Sequence, residues 1–131
     1  MDDFHSEYGN TKTVRQQAGT AGEITALKHL EEHGLQLVLR NYRCKAGEID
    51  LVMLDGATLV LIEVRFRSDK RFGGAAASVT WRKQRRLICA AEHLLLTRTH
   101  LRRYPARFDV VALAPGQGGL RVEWIKSAFT L

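Results

Sequence analysis

The sequence predicts an α/β fold, one mixed sheet flanked by helices in the order αβββαββ, and three observations carry that expectation. Short apolar runs bounded by turn residues recur within 47–67, on either side of Asp55-Gly56, and at 107–113 and 120–126, each of strand length. Two longer segments, 14–33 and 78–97, place apolar residues at helical spacing. A chain of 131 residues with 45% hydrophobic content can bury one proper core but not two, and that content excludes a disordered chain.

The first thirteen residues are polar and are expected to form a flexible tail, leaving 14–131 as a single domain. The first helix, Val14 to His33, sets Ala18, Ala21, Ile24, Leu27 and Leu30 near one face, with Gly34 as its C-terminal cap. Leu35, Leu37 and Leu39 then alternate along a strand that runs to Arg43. Asp55-Gly56 is a hairpin signal between two aliphatic runs, so the strands on either side of it should pair antiparallel. The segment SDKRFGGAAA reads as a loop before the second helix, Ser78 to Thr97, whose apolar stripe is Val79, Leu87, Ala91 and Leu94. RFDVVAL and LRVEWIK are the last two strands, joined through Pro115-Gly116 and Gly118-Gly119. There is no internal repeat and no low-complexity stretch.

Charge narrows the choice of partner. Twenty Lys and Arg against fourteen Asp and Glu give +6. The cations cluster: Arg40, Arg43 and Lys45; Arg65, Arg67, Lys70 and Arg71; Arg82, Lys83, Arg85 and Arg86; Arg102, Arg103 and Arg107. A polyanion such as nucleic acid is the natural partner, the competing reading being a basic surface without one. No run is long or apolar enough to cross a bilayer, and the N-terminus lacks the basic and apolar segments of a secretory signal, so a cytoplasmic protein with no membrane partner is expected. Cys44 and Cys89 stand far apart and receive no role.

Acidic residues on the two hairpin strands are the sharper signal. Asp50 lies among Ile49, Leu51, Val52 and Met53, and Glu63 among Leu61, Ile62, Val64 and Phe66. Antiparallel pairing brings the two carboxylates together, where each raises the pKa of the other unless a cation intervenes; a divalent metal held by hard oxygen ligands is the simplest solution. By strand parity Glu48 shares the face of Asp50, and Arg65 that of Glu63. The competing reading makes the acids partners in buried ion pairs with Arg65 or Arg67.

Gly19-x-x-Gly22-Glu23, Arg40-Asn41-Tyr42-Arg43, Gly47-Glu48-Ile49-Asp50-Leu51, Glu63-Val64-Arg65-x-Arg67, Lys83, Arg107-Phe108-Asp109-Val110-Val111 and Glu123-Trp124-Ile125-Lys126 together resemble the YraN family, nearly end to end. That family is related to the Holliday-junction-resolvase-type nucleases of the restriction-endonuclease-like superfamily. The resemblance implies a restriction-endonuclease-like three-layer domain and Mg²⁺- or Mn²⁺-dependent endonuclease action on DNA, branched DNA included. It further implies Asp50 and Glu63 as metal ligands and catalytic carboxylates, and Glu23 as a third carboxylate reaching in from the first helix. Glu48 is a further candidate ligand, although an ion pair with Arg65 is the preferred reading of it.

Arg65 departs from the Lys of the superfamily motif. Arginine stays protonated, so it can supply charge and directional donors to a phosphate but cannot take a proton. Lys83 could supply an ammonium from the second helix, although one more surface cation is the favoured reading. Nucleic-acid contacts are expected from Arg40, Arg43, Arg67, Lys70, Arg71, Arg82, Lys83 and Arg86. Two rival functions follow from Arg65 and from the basic helix: a nuclease-like module that binds nucleic acid without cleaving it, and an interaction protein docking an acidic partner. A homodimer is compatible with all three.

His29-Leu-Glu-Glu-His33 lacks the Glu placement of a zinc-protease motif and reads as helix surface, and Phe72-Gly73-Gly74 reads as a rim or connection rather than a P-loop. Trp81, Trp124 and Phe129 could stack on bases, but packing is the expected fate of such aromatics, of Trp124 above all.

Overall fold

The computed structural model describes residues 14–67 and 79–130. Helix α1 (Val14–Glu32) is followed by strands β1 (Gln36–Cys44), β2 (Gly47–Asp55) and β3 (Thr58–Phe66), helix α2 (Trp81–Thr97), a short 3-10 turn (Thr99–Arg103), and strands β4 (Ala106–Gly116) and β5 (Gly119–Phe129). The order αβββαββ is the one the sequence predicts. One sheet contains all five strands in the spatial order β1-β2-β3-β4-β5. All neighbours are antiparallel except β3 and β4. A parallel pair needs a long crossover, which is where α2 lies.

Each helix seals one face, giving three layers. On the α2 side Ile49, Val52, Leu59, Leu61, Phe108 and Val110 pack against Leu87, Ala90, Ala91 and Leu94. On the α1 side Leu51, Met53, Val60, Ile62, Val111 and Leu113 pack against Ala26 and Leu30. Because both faces are covered, β2 and β3 read as continuous apolar runs rather than alternating ones.

The apolar stripe of α1 differs from the expected one. Gly22, Ala26 and Leu30 are buried, whereas Ala21 and Ile24 are exposed. A Cβ at Gly22 would lie 3.0 Å from Leu113 Cδ1, so the helix rests on the sheet at this glycine and turns the 22, 26, 30 line inward. The hairpin between β2 and β3 closes as expected, with Asp55 paired to Thr58 across Gly56 and Ala57, and Gly56 at φ +61°, a conformation in which glycine is unstrained.

Helix α2 starts at Trp81, its N-cap Thr80 accepting from the Lys83 N–H, rather than at Ser78, which lies outside the described residues. Lys70, Arg71 and the Phe72-Gly73-Gly74 segment lie outside them as well. Among the described residues no helix is long and apolar enough to cross a membrane.

Candidate active site

Along the β1–β2 ladder Arg40 faces Leu51 and Tyr42 faces Ile49, but the intervening pair, Asn41 and Asp50, drops out. Asn41 adopts φ +53°, a conformation costly for most residues and tolerated by asparagine. Alternation slips at this point. Leu39 and Val52 pack toward α2, and so do Tyr42 and Ile49, three residues away on each strand.

The β2–β3 ladder ends at Leu51 and Ile62; one step further, Asp50 would stand opposite Glu63. Instead of continuing the ladder, Asp50 places its side chain in the opening, where Oδ2 accepts a hydrogen bond from the Val64 N–H at 2.8 Å. The two strands part at the position where both carry a carboxylate.

Both acids are buried, Asp50 to 7% and Glu63 to 4% exposure. Burial pushes the Asp50 carboxyl up to about 8, Glu63 adds to the rise, the Val64 N–H opposes it, and the charges of Glu23 and Glu48 raise it further. Glu63 Oε2 lies 3.5 Å from Arg65 Nη1 and 3.5 Å from Lys83 Nζ. Its other oxygen, Oε1, is buried with no hydrogen-bond partner. An unsatisfied buried carboxylate oxygen is unfavourable.

Glu23 and Glu48 stand in a second rank. Glu23 approaches Asp50 from α1 and lies 3.9 Å from Arg40. Its carboxyl is raised by burial, with Arg40 opposing and Glu48 adding. Glu48 pairs with Arg43, its direct partner across the β1–β2 ladder, at 3.5 Å, not with Arg65. Among the described residues no group of three or more His, Cys, Asp and Glu side chains is placed to hold a metal ion. The inner pair is therefore Asp50 and Glu63, with Arg65 and Lys83 as its adjoining cations.

Lys83 is more than a surface charge. Arg86 Nε donates to the Ala46 carbonyl at 3.3 Å, and a Cβ on Gly47 would lie 3.2 Å from the Arg86 carbonyl oxygen. This close seat of α2 on the β1–β2 turn aims Lys83 at Glu63. A cleft that meets the pair through Lys83 is lined by Arg43, Cys44, Gly47, Glu48, Lys83, Arg86 and Leu87. Four cations, Arg82, Lys83, Arg85 and Arg86, occupy the first two turns of α2 with no acid among them. Cations at a helix N-terminus oppose the helix dipole, at about 0.3–1 kcal/mol each when exposed. Such local conflicts with stability concentrate at functional sites.

Of the remaining basic candidates, Arg40 and Arg43 reach their acids as above, while Arg67 extends β3 toward β4, its N–H donating to the Leu113 carbonyl at 2.7 Å. Trp124 packs against the α1-side core, and Phe129 stacks on Phe108 at 4.8 Å, as expected. Trp81 differs, at 73% exposure.

One polar centre has no assigned role in the sequence reading. Asp109, fully buried, accepts from Arg107, from Trp124 Nε1 at 2.9 Å and from the Ser127 N–H at 2.9 Å, and Arg107 continues to Asp55 at 2.9 Å. Its satisfaction by three residues and the irregular β4–β5 register beside it mark a structural clasp. An aspartate in the apolar run RFDVVAL was the available signal, the same one that singled out Asp50.

Comparison with known proteins places the chain among relatives. Residues 22–113 match the model of a family described as "Uncharacterised protein family UPF0102", a span that holds Glu23, Glu48, Asp50, Glu63, Arg65 and Lys83. A UPF0102 protein of Cupriavidus pinatubonensis is 59% identical over 122 residues, covering 92% of this chain and 91% of the relative. One from Saccharophagus degradans is 50% identical over 115 residues, covering 88% and 94%. Another, from Janthinobacterium, is 50% identical over 121 residues, covering 89% and 90%.

Proposed function

For this chain, which belongs to the UPF0102 family, we propose metal-dependent hydrolysis of phosphodiester bonds in DNA, with Asp50 and Glu63 as the metal-binding pair. One observation carries the reading. Two buried carboxylates meet where their strands part, one pushed to about 8 by burial and its neighbour, the other with an unsatisfied oxygen. A fold gains nothing in stability from such a pair on its own, whereas a cation between them relieves both defects.

The donor set suits Mg²⁺ or Mn²⁺. Hard oxygen ligands from one or two carboxylates, with remaining positions left to water and phosphate oxygens, are the usual protein share of a Mg²⁺ site, so a third protein ligand is not required. When bound, the ion would polarise the phosphorus centre and lower the pKa of the attacking water. Arg65 and Lys83, both 3.5 Å from Glu63 Oε2, supply positive charge where the phosphate would enter. Arg65 offers a fixed fork of donors to two phosphate oxygens, and Lys83 a movable ammonium. Glu23 and Glu48 keep the field around Asp50 negative, strengthening cation capture, while Arg40 and Arg43 limit their mutual repulsion. The cations of α2 would hold the flanking backbone.

A second reading rests on Arg65. With no lysine in the motif position, the same fold could bind nucleic acid without turning it over. Incubating the purified protein with linear, flapped and four-way-junction DNA in Mg²⁺, Mn²⁺ or EDTA, beside Asp50→Ala, separates the two. Cleavage that needs the metal and Asp50 supports the nuclease. Binding without cleavage under every metal supports the binding module.

A further inference from the structure

We propose that Trp81 is a stacking platform for an unpaired nucleobase, which would make the site selective for flapped or single-stranded DNA over continuous duplex; the inference rests on the nucleic-acid reading above and names its substrate class. Trp81 is the most exposed of the large hydrophobic residues described, at 73%, against 67% for Leu96 and 56% for Phe66. Tryptophan joins a large apolar face to a polar N–H, the amphipathic build enriched at contact surfaces, and here it stands at the start of a run of cations.

Its surroundings say which occupant. The Arg85 guanidinium lies 5.6 Å from the ring centroid, one helical turn along α2. Arg82, Lys83 and Arg86 share the first two turns of α2 with it, and the first acid along α2 is Glu92. A π-face bordered by cations matches a base joined to its phosphates, and an arginine beside the ring adds a second planar partner. Lys83, two residues on and therefore on the opposite side of the helix, reaches Glu63 at 3.5 Å, so a base seated on Trp81 would lie across the first turn of α2 from the acid pair. Inside a duplex both faces of a base are covered by its neighbours. Only a flap, a single strand or an opened junction offers one to Trp81. Trp124 and Phe129 are already committed, Trp124 to Asp109 and the core, Phe129 to Phe108.

The test uses the full chain in EDTA, so that binding is read without cleavage. Affinities are measured by fluorescence anisotropy for a blunt duplex and for a flapped duplex of equal phosphate count, with wild type, Trp81→Ala and Trp81→Phe. The expected result is a loss of roughly 5- to 150-fold on flapped DNA for Trp81→Ala, the range of a lost base–aromatic stack, with the duplex affinity little changed and most of the loss recovered by Trp81→Phe. Equal losses on both DNAs, or none on either, would overturn the platform while leaving the nucleic-acid reading in place. Wild type that binds neither DNA would overturn both. Binding of poly-glutamate that depends on Trp81, with no binding of DNA, would assign the surface to an acidic protein instead.

Discussion

The carboxylate of Asp50 takes the Val64 backbone N–H at 2.8 Å in the gap where β2 and β3 separate, so a side chain does the work of the missing ladder bond. This contact holds the acid in a buried position that opposes its ionisation, since a carboxyl pushed to about 8 is mostly protonated at neutral pH in the absence of a cation.

Asp50→Asn should therefore stabilise the metal-free protein. Asparagine keeps an oxygen for the Val64 N–H and removes the buried charge. The sign follows from proton counting: between the unfolded value near 3.8 and the folded value of about 8 the native state binds more protons, so wild-type stability falls as pH rises through that window and levels off above it. Thermal unfolding in EDTA across that window should show the melting temperature of Asp50→Asn pulling ahead of wild type with rising pH, by several degrees at the upper end. A gap that is constant with pH would mean that Asp50 is not held protonated.

Asp109→Asn should do the opposite. This aspartate is fully buried but satisfied by Arg107, Trp124 and Ser127, and removing its charge leaves Arg107 with Asp55 as its remaining acidic partner. Breaking a buried ion pair from one side costs about 3–5 kcal/mol, so the variant should melt well below wild type at neutral pH. Cleavage or binding per folded molecule should be unaffected at temperatures where the variant remains native. Two buried aspartates thus respond to one substitution with opposite signs.

Metal ions should act through the same pair. Mg²⁺ or Mn²⁺ should raise the melting temperature of wild type with concentration, by a linkage worth about 2.7 kcal/mol at one hundred times the dissociation constant, and leave Asp50→Asn nearly unmoved. Since the ion must displace the Asp50 proton, its affinity should strengthen as pH rises toward about 8 and then level off. Calorimetric titration at several pH values measures both effects. An affinity indifferent to pH and to Asp50 would place the ion elsewhere.

Charge on α2 should appear in the salt dependence of DNA binding. Each phosphate neutralised contributes about 0.9 to the slope of log K against log salt on duplex DNA, so reversing Arg82, Lys83 and Arg86 together should reduce the slope by up to about 2.7. An unchanged slope would move the footprint to β1 and Arg67.

How far the sequence discloses all this depends on the range of the physics involved. Element order, the hairpin at Gly56 and the convergence of Asp50 with Glu63 follow from local patterns: period-2 and period-3.6 burial, a two-residue turn, and acids in apolar runs. The inward face of α1 does not, because it is set by contact of Gly22 with Leu113, ninety-one positions away in the chain. The partner of Glu48 also escapes strand parity, since only the paired ladder reveals Arg43 as its direct partner on β1. Lys83 is indistinguishable from its basic neighbours until the seat of α2 on Gly47 aims it at Glu63.

Arg65→Lys is expected to raise turnover, because an ammonium in that position can donate, move and release a proton where the guanidinium can only donate. Lys83→Met should lower turnover even in that background if its charge serves the phosphate. Rates of metal-dependent cleavage for the two single variants and the double variant measure this; an Arg65→Lys rate equal to wild type would show that the arginine already does what the site needs.

The most direct test of the central claim is the initial rate of cleavage of one flapped DNA substrate in Mg²⁺ by wild type, Asp50→Asn and Glu63→Gln, with affinity for the same DNA measured in EDTA. A metal-binding carboxylate pair predicts wild-type cleavage that falls to the EDTA background in both variants, while DNA affinity stays equal or rises because a negative charge facing the phosphates is gone. Cleavage that survives both substitutions, or a wild type that binds DNA and cuts it with neither Mg²⁺ nor Mn²⁺, would contradict it.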